Sequence, residues 1–171
     1  MNFDFDDILF ENLNQGELTL QEVLDEIKLF LEEDPNAEYS LVIGTDSHEK
    51  HDEKNTKKIN LVTAILVHRK GFGGRYFWKR NYVSNIHTLR EKIYSETMTS
   101  LNFASLFVPL LKKKLNGTSA KYYLEIHIDV GEHGDTRDMI KEVVGMVTGY
   151  GYVAKTKPDA YGASYVADKH T

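Results

Sequence analysis

Two apolar stretches of this chain run into an aspartate. SLVIGTDSH, residues 40–48, reaches Asp46, and IHIDVGEHGDTR, residues 126–137, reaches Asp129 before a glycine-bounded polar turn. A lone carboxylate at a strand end can simply cap the next loop. Two of them on neighbouring strands would share one rim of a sheet, repel each other and lose hydration. A divalent cation relieves that conflict. Mg²⁺ or Mn²⁺ takes hard oxygen ligands together with water and substrate phosphate. Glu96 is a third candidate: it lies three residues after Ile93 and five before Leu101, at the edge of a helical apolar stripe. Asp168 is the fourth, seven residues after Tyr161 and three after Tyr165, on one helical face with them. Glu91 and Asp159 are more simply helix caps. Turn or solvated positions are the plainer reading for each of the four acids taken singly.

Histidines and bases surround these acids. His48 follows Asp46 by two residues and His127 precedes Asp129 by two, so along a strand each shares its aspartate's face. His133 lies in the glycine turn, and His170 is two beyond Asp168. His48, His133 and His170 are therefore candidate proton shuttles or alternative ligands for Mn²⁺, Zn²⁺ or Fe. His127 reads as a packed strand residue. Arg137, in the first turn of a helix, opposes the helix dipole and calls for an anionic partner. Lys155 and Lys157 flank a strand end, and Lys79 and Arg80 lie on another strand. All are candidate contacts to a nucleic-acid backbone, with a solvated rim as the plainer reading.

The elements that must position these groups follow from pattern. TLQEVLDEIKLFLEE, from about residue 19, has helical spacing, with Thr19 and Glu22 as a capping box. Strands are expected at about 40–46, 59–69 and 75–84, forming an antiparallel meander. A long helix at about 89–115 follows, opened by Thr88 and Glu91 and stopped by Asn116-Gly117. Its expected core stripe is Leu89, Ile93, Thr97, Leu101, Ala104 and Val108. Then come a strand (YYLEIHID), a helix capped by Asp135, a short strand (YVAKT) and a last helix. The order βββαβαβα implies an α/β fold: a mixed five-stranded sheet with helices on both faces. Residues 1–37 form an acidic N-terminal extension with one helix, and residues 38–171 form the domain.

Bulk numbers narrow the class. The 171 residues are 41% hydrophobic, enough for one domain with a core. No apolar run is long enough for a membrane span, and the acidic N-terminus does not read as a signal peptide. The absence of cysteine excludes disulfides and thiolate metal sites and is compatible with a reduced, cytoplasmic setting, the expected localisation. The net charge of −5 hides a division. Residues 1–40 hold 12 acids and one base, and the remainder 14 acids and 20 bases, so a +6 body follows a −11 extension. A basic body is compatible with a polyanion partner.

Four stretches carry a resemblance. GTDSH (44–48), IDVGEHGDTRDMI (128–140), EVVGMVTGYGY (142–152) and KPDAYGASYVADKHT (157–171) resemble the YkuK-like family of uncharacterised bacterial proteins, in the ribonuclease H-like superfamily. The resemblance covers about residues 38–171. It implies a ribonuclease H-like fold, with Asp46, Glu96, Asp129 and Asp168 as a catalytic, metal-binding tetrad. Its implied activity is two-metal hydrolysis of phosphodiester bonds in RNA or DNA. In that scheme Asp46 bridges both ions, Glu96 and Asp129 hold one, and Asp168 holds the other. Arg137, Lys155 and Lys157 would bind substrate. Two alternatives stand beside it: a non-catalytic nucleic-acid-binding or regulatory module of the same fold, and a His/Asp metallohydrolase.

Overall fold

The sheet is built around one long hairpin. Strand β3 (Tyr39–His51) pairs with β4 (Lys57–Arg69) along its whole length. Their near-continuous apolar runs reflect burial on both faces, where strict alternation is not needed. Asp52 Oδ1 closes the tip by accepting from the Lys54 and Thr56 amides, with Asn55 in the left-handed region at φ 58°. The arms extend further than the charged sequence of the tip suggests, so Asp46 lies in mid-strand rather than at a strand end. The computed structural model describes residues 8–162, 165 and 169.

Three more elements complete the N-terminal half of the chain. Strand β5 (Gly73–Val83) pairs antiparallel with β4. The short strands β1 (Leu9–Asn12) and β2 (Gly16–Thr19) form a hairpin that docks on the outer edge of β5. Helix α1 (Leu20–Glu33) follows directly, opened by the Thr19–Glu22 capping box. Its last turn is closed by the Tyr39 hydroxyl, which shares its one hydrogen between the Phe30 and Asp34 carbonyls.

On the other side, α2 (Leu89–Lys114) crosses over to β6 (Tyr122–His127), which runs parallel to β3. A 3₁₀ turn (Arg137–Met139) leads into α3 (Ile140–Gly149), and β7 (Val153–Lys155) runs parallel to β6. The strand order is β2-β1-β5-β4-β3-β6-β7. The mixed α/β sheet therefore has seven strands, not the five expected. β1 and β2 escaped notice because each is four residues long and mostly polar or exposed. They cover the meander's outer edge, which would otherwise present unpaired backbone groups.

The core lies between one face of the sheet and α1, α2 and α3. Leu41, Ile43, Ile65, Phe77 and Ile126 meet Phe30, Leu101, Phe107 and Val143 there. Two local expectations for the helices were wrong. Leu89 is 41% exposed, because it lies in the first turn, beyond the strands. Asp135 is exposed and does not cap: Thr136 precedes the 3₁₀ turn, with no side-chain cap. The opposite face holds Val62, Ala64 and Trp78. There Gly162 comes so close that an added Cβ would meet Val42 Cγ1 at 3.1 Å. No helix among the described residues is long and apolar enough to cross a membrane.

Candidate functional site

A difference in strand length makes the site. β6 pairs with β3 only as far as Gly44↔His127, while β3 continues along β4 to His51. Beyond Gly44, the β6 side of β3 is a notch. Two residues past the last pair stand Asp46 on β3 and Asp129 on the segment leaving β6. That segment is pinned by backbone bonds: the Ile128 amide donates to Lys155 O, and the Lys157 amide donates to Val130 O. Asp129 is therefore held beside Asp46 by the parallel register itself.

Glu96 enters from the other face. Alternation points Asp46 to one face of β3 and Ser47 to the other, toward α2. Ser47 Oγ donates to Glu96 Oε1 at 2.6 Å. One helical turn on, Ser100 Oγ donates to Thr45 Oγ1, which also pairs with Thr63 Oγ1. Glu96 and Ser100 thus stack on Ser47 and Thr45, and this buried hydroxyl ladder sets the height of α2 over the strand. The sequence reading missed Thr45, Ser47, Thr63 and Ser100. Their only signal was an unusual polarity among residues that would otherwise be core.

The electrostatics follow from burial. Glu96 is 2% exposed, and its Oε2 is buried with no hydrogen-bond partner. Loss of water pushes its carboxyl up to about 7; the Ser47 hydrogen bond and Lys92 oppose this, while Asp46 and Asp129 add to it. Burial also raises Asp46; its own Ser47 amide contact opposes the shift, and repulsion from Asp129 adds to it. Lys157 Nζ is 2.8 Å from Asp129 Oδ1, and that contact holds the ammonium above its ordinary range, with help from Asp46 and Glu96. Lys92 Nζ lies 3.7 Å from Glu96 Oε1.

Asp46, Glu96 and Asp129 are therefore neighbours: Asp129 opposes the ionisation of Asp46, and both oppose that of Glu96. Among the described residues, no group of three or more His, Asp or Glu side chains is placed so that it could hold a metal ion. Mg²⁺ does not need such a group, since one or two carboxylates with waters suffice. Hard carboxylates that repel each other, one with an orphaned buried oxygen, fit such an ion. Asp168 and His170 lie outside the described residues.

Of the remaining candidates, His48 adjoins the acids and the others lie elsewhere. His48 Nε2 is 3.6 Å from Asp46 Oδ2. His133 and Arg137 are exposed on the loop after Asp129, and Lys155 is half-buried on β7. His127 is a core residue: Gly162 N–H donates to its Nδ1 and its Nε2 meets Glu125. That assigns the neutral Nε2–H tautomer, and burial lowers its pKa accordingly. Lys79 lies over the Phe103 ring, and Arg80 pairs with Glu11, so neither heads toward the notch.

A mixed sheet ordered this way, with acids meeting beside its central parallel pair, defines an α/β protein of the ribonuclease H-like class. The model of the family described as Ribonuclease H-like matches residues 22–171. The chain belongs to the YkuK-like family within the ribonuclease H-like superfamily. It is similar to "Uncharacterized protein YkuK" of Bacillus subtilis (strain 168), with 37% identity over 174 residues, covering 97% of this chain and 98% of the relative. No solved structure matches it.

Proposed function

We propose that this protein is a metal-dependent nuclease hydrolysing phosphodiester bonds in RNA or DNA, with Asp46, Glu96, Asp129 and Asp168 as its acids. The observation that carries the reading is the approach of three carboxylates, from β3, α2 and the end of β6, in which Asp129 raises the cost of ionising Asp46, and Asp46 and Asp129 raise that of Glu96. Asp46, Glu96 and Asp129 would hold Mg²⁺ or Mn²⁺. When bound, such ions polarise a phosphodiester and lower the pKa of water. The chain's own groups do the rest. Ser47 orients Glu96. His48, beside Asp46, would serve as a proton shuttle. Lys155, Lys157 and Arg137 would engage backbone phosphates. Membership of the ribonuclease H-like superfamily supports a nucleic-acid substrate.

One observation favours a second reading. Lys157 already neutralises Asp129, as expected of a binding or regulatory module that has kept the fold without the reaction. Calorimetric titration with Mg²⁺ and Mn²⁺, paired with cleavage assays on single strands, duplexes, RNA–DNA hybrids and junctions, separates the two. Metal-dependent cleavage lost in both Asp46→Asn and Asp129→Asn supports the nuclease. Nucleic-acid binding without cleavage or metal uptake supports the module.

A further inference from the structure

Lys157 is placed by the fold rather than by chance. Its amide donates to Val130 O at 2.7 Å, one residue beyond Asp129. Gly131 leaves the room its stem needs, since a Cβ there would lie 3.0 Å from Lys157 Cβ. The backbone is thus fixed, while the side chain remains 54% exposed. The same side chain also lines a pocket of about 500 Å³, together with Gly131, Glu132, His133, Pro158 and Asp159. With its stem exposed, the side chain can change rotamer without rearranging the core.

We infer that Lys157 is a displaceable internal cation: it compensates the Asp46–Glu96–Asp129 cluster when no divalent ion is present and swings toward the pocket when one binds. This rests on the metal-binding reading above. An ammonium offers one charge and three donors to carboxylates that repel each other. A divalent ion brings two charges and takes several oxygens at once, so it prevails where it is available. Two consequences follow. The apparent metal affinity is lowered by the competition, and metal arrival frees a cation at the rim of the notch, where a phosphate can use it.

Lys157→Met keeps the stem and removes the charge. Two measurements on the full chain test the inference. The first is urea unfolding in EDTA of wild type, Lys157→Met, Asp129→Asn and the double variant. Non-additive losses are expected, because the two side chains meet, and additive losses overturn the inference whatever metals do. The second is calorimetry with Mn²⁺ at low ionic strength. Lys157→Met should bind roughly two- to fivefold tighter than wild type, the scale of a half-exposed ion pair. Equal or weaker binding by the variant overturns displacement and leaves the metal site standing. Coupling in EDTA with no Mn²⁺ uptake by either protein overturns displacement too, and there it is the metal-binding reading that has failed.

Discussion

Glu96 carries the clearest consequence for a single side chain. Its folded carboxyl keeps a proton up to about pH 7, against an ordinary value of 4.5. Between those values the folded chain binds more protons than the unfolded chain. Stability is therefore full below pH 4.5, falls as pH rises to about 7, and levels off above. The loss is about 3 kcal/mol. Asp46, also raised, adds a slope of the same sign that begins near its ordinary 3.8. Urea unfolding in EDTA from pH 5 to 8 should show wild-type stability declining. Glu96→Gln should decline far less and be the more stable protein at pH 8; an equal slope in both would assign the effect elsewhere. Ser47→Ala removes the donor that favours the charged form of Glu96. The carboxyl should then titrate higher still by infrared or NMR, with a stability cost of about 1–3 kcal/mol above neutrality.

At the scale of elements, α2 is positioned twice over. Its start is set locally by Thr88 and Glu91, whose reciprocal bonds are both formed, and its height over the sheet by the Ser100–Thr45 contact. Thr88→Ala should lower stability by about 1 kcal/mol without changing metal affinity, because Glu96 lies two turns further in. Both of α2's cap residues and its stop were legible in sequence, since a cap involves residues three positions apart. The hydroxyl ladder was not, because Thr45 and Ser100 are 55 positions apart and nothing local marks them as partners. Asp129 and Lys157 are hidden in the same way. Sequence places Lys157 at a strand end, and only the bonds between residues 128–130 and 155–157 turn it inward.

Across the whole molecule, residues 8–40 of the acidic N-terminal segment pack into the body. Glu11, Asp25, Glu33 and Glu38 pair with Arg80, Lys114, Arg69 and Lys70, so the −11 segment and the +6 remainder of the chain partly neutralise each other. Phe10 on β1 is fully buried against Phe103 of α2. Phe10→Ala should cost about 3–5 kcal/mol in chemical unfolding, whereas a detached extension would lose almost nothing. Bases spent on these pairs are not available to phosphate. Nucleic-acid affinity, measured against salt, should therefore fall with a shallower slope than 20 bases would suggest.

Sequence alone determined what depends on near neighbours: the capping boxes of α1 and α2, the apolar runs of β3, β4 and β6, their order, and the identity of Asp46, Glu96 and Asp129 as carboxylates that apolar surroundings do not explain. Those features follow from backbone period and side-chain chemistry, which act over a few residues. Tertiary structure decided the rest. It set the length difference between β3 and β6 that opens the notch, the opposite faces from which Asp46 and Glu96 approach it, the two added strands at the sheet edge, and the lysine that answers the acids. Each of these depends on register and packing between segments far apart in the chain, and neither exists until the chain has folded.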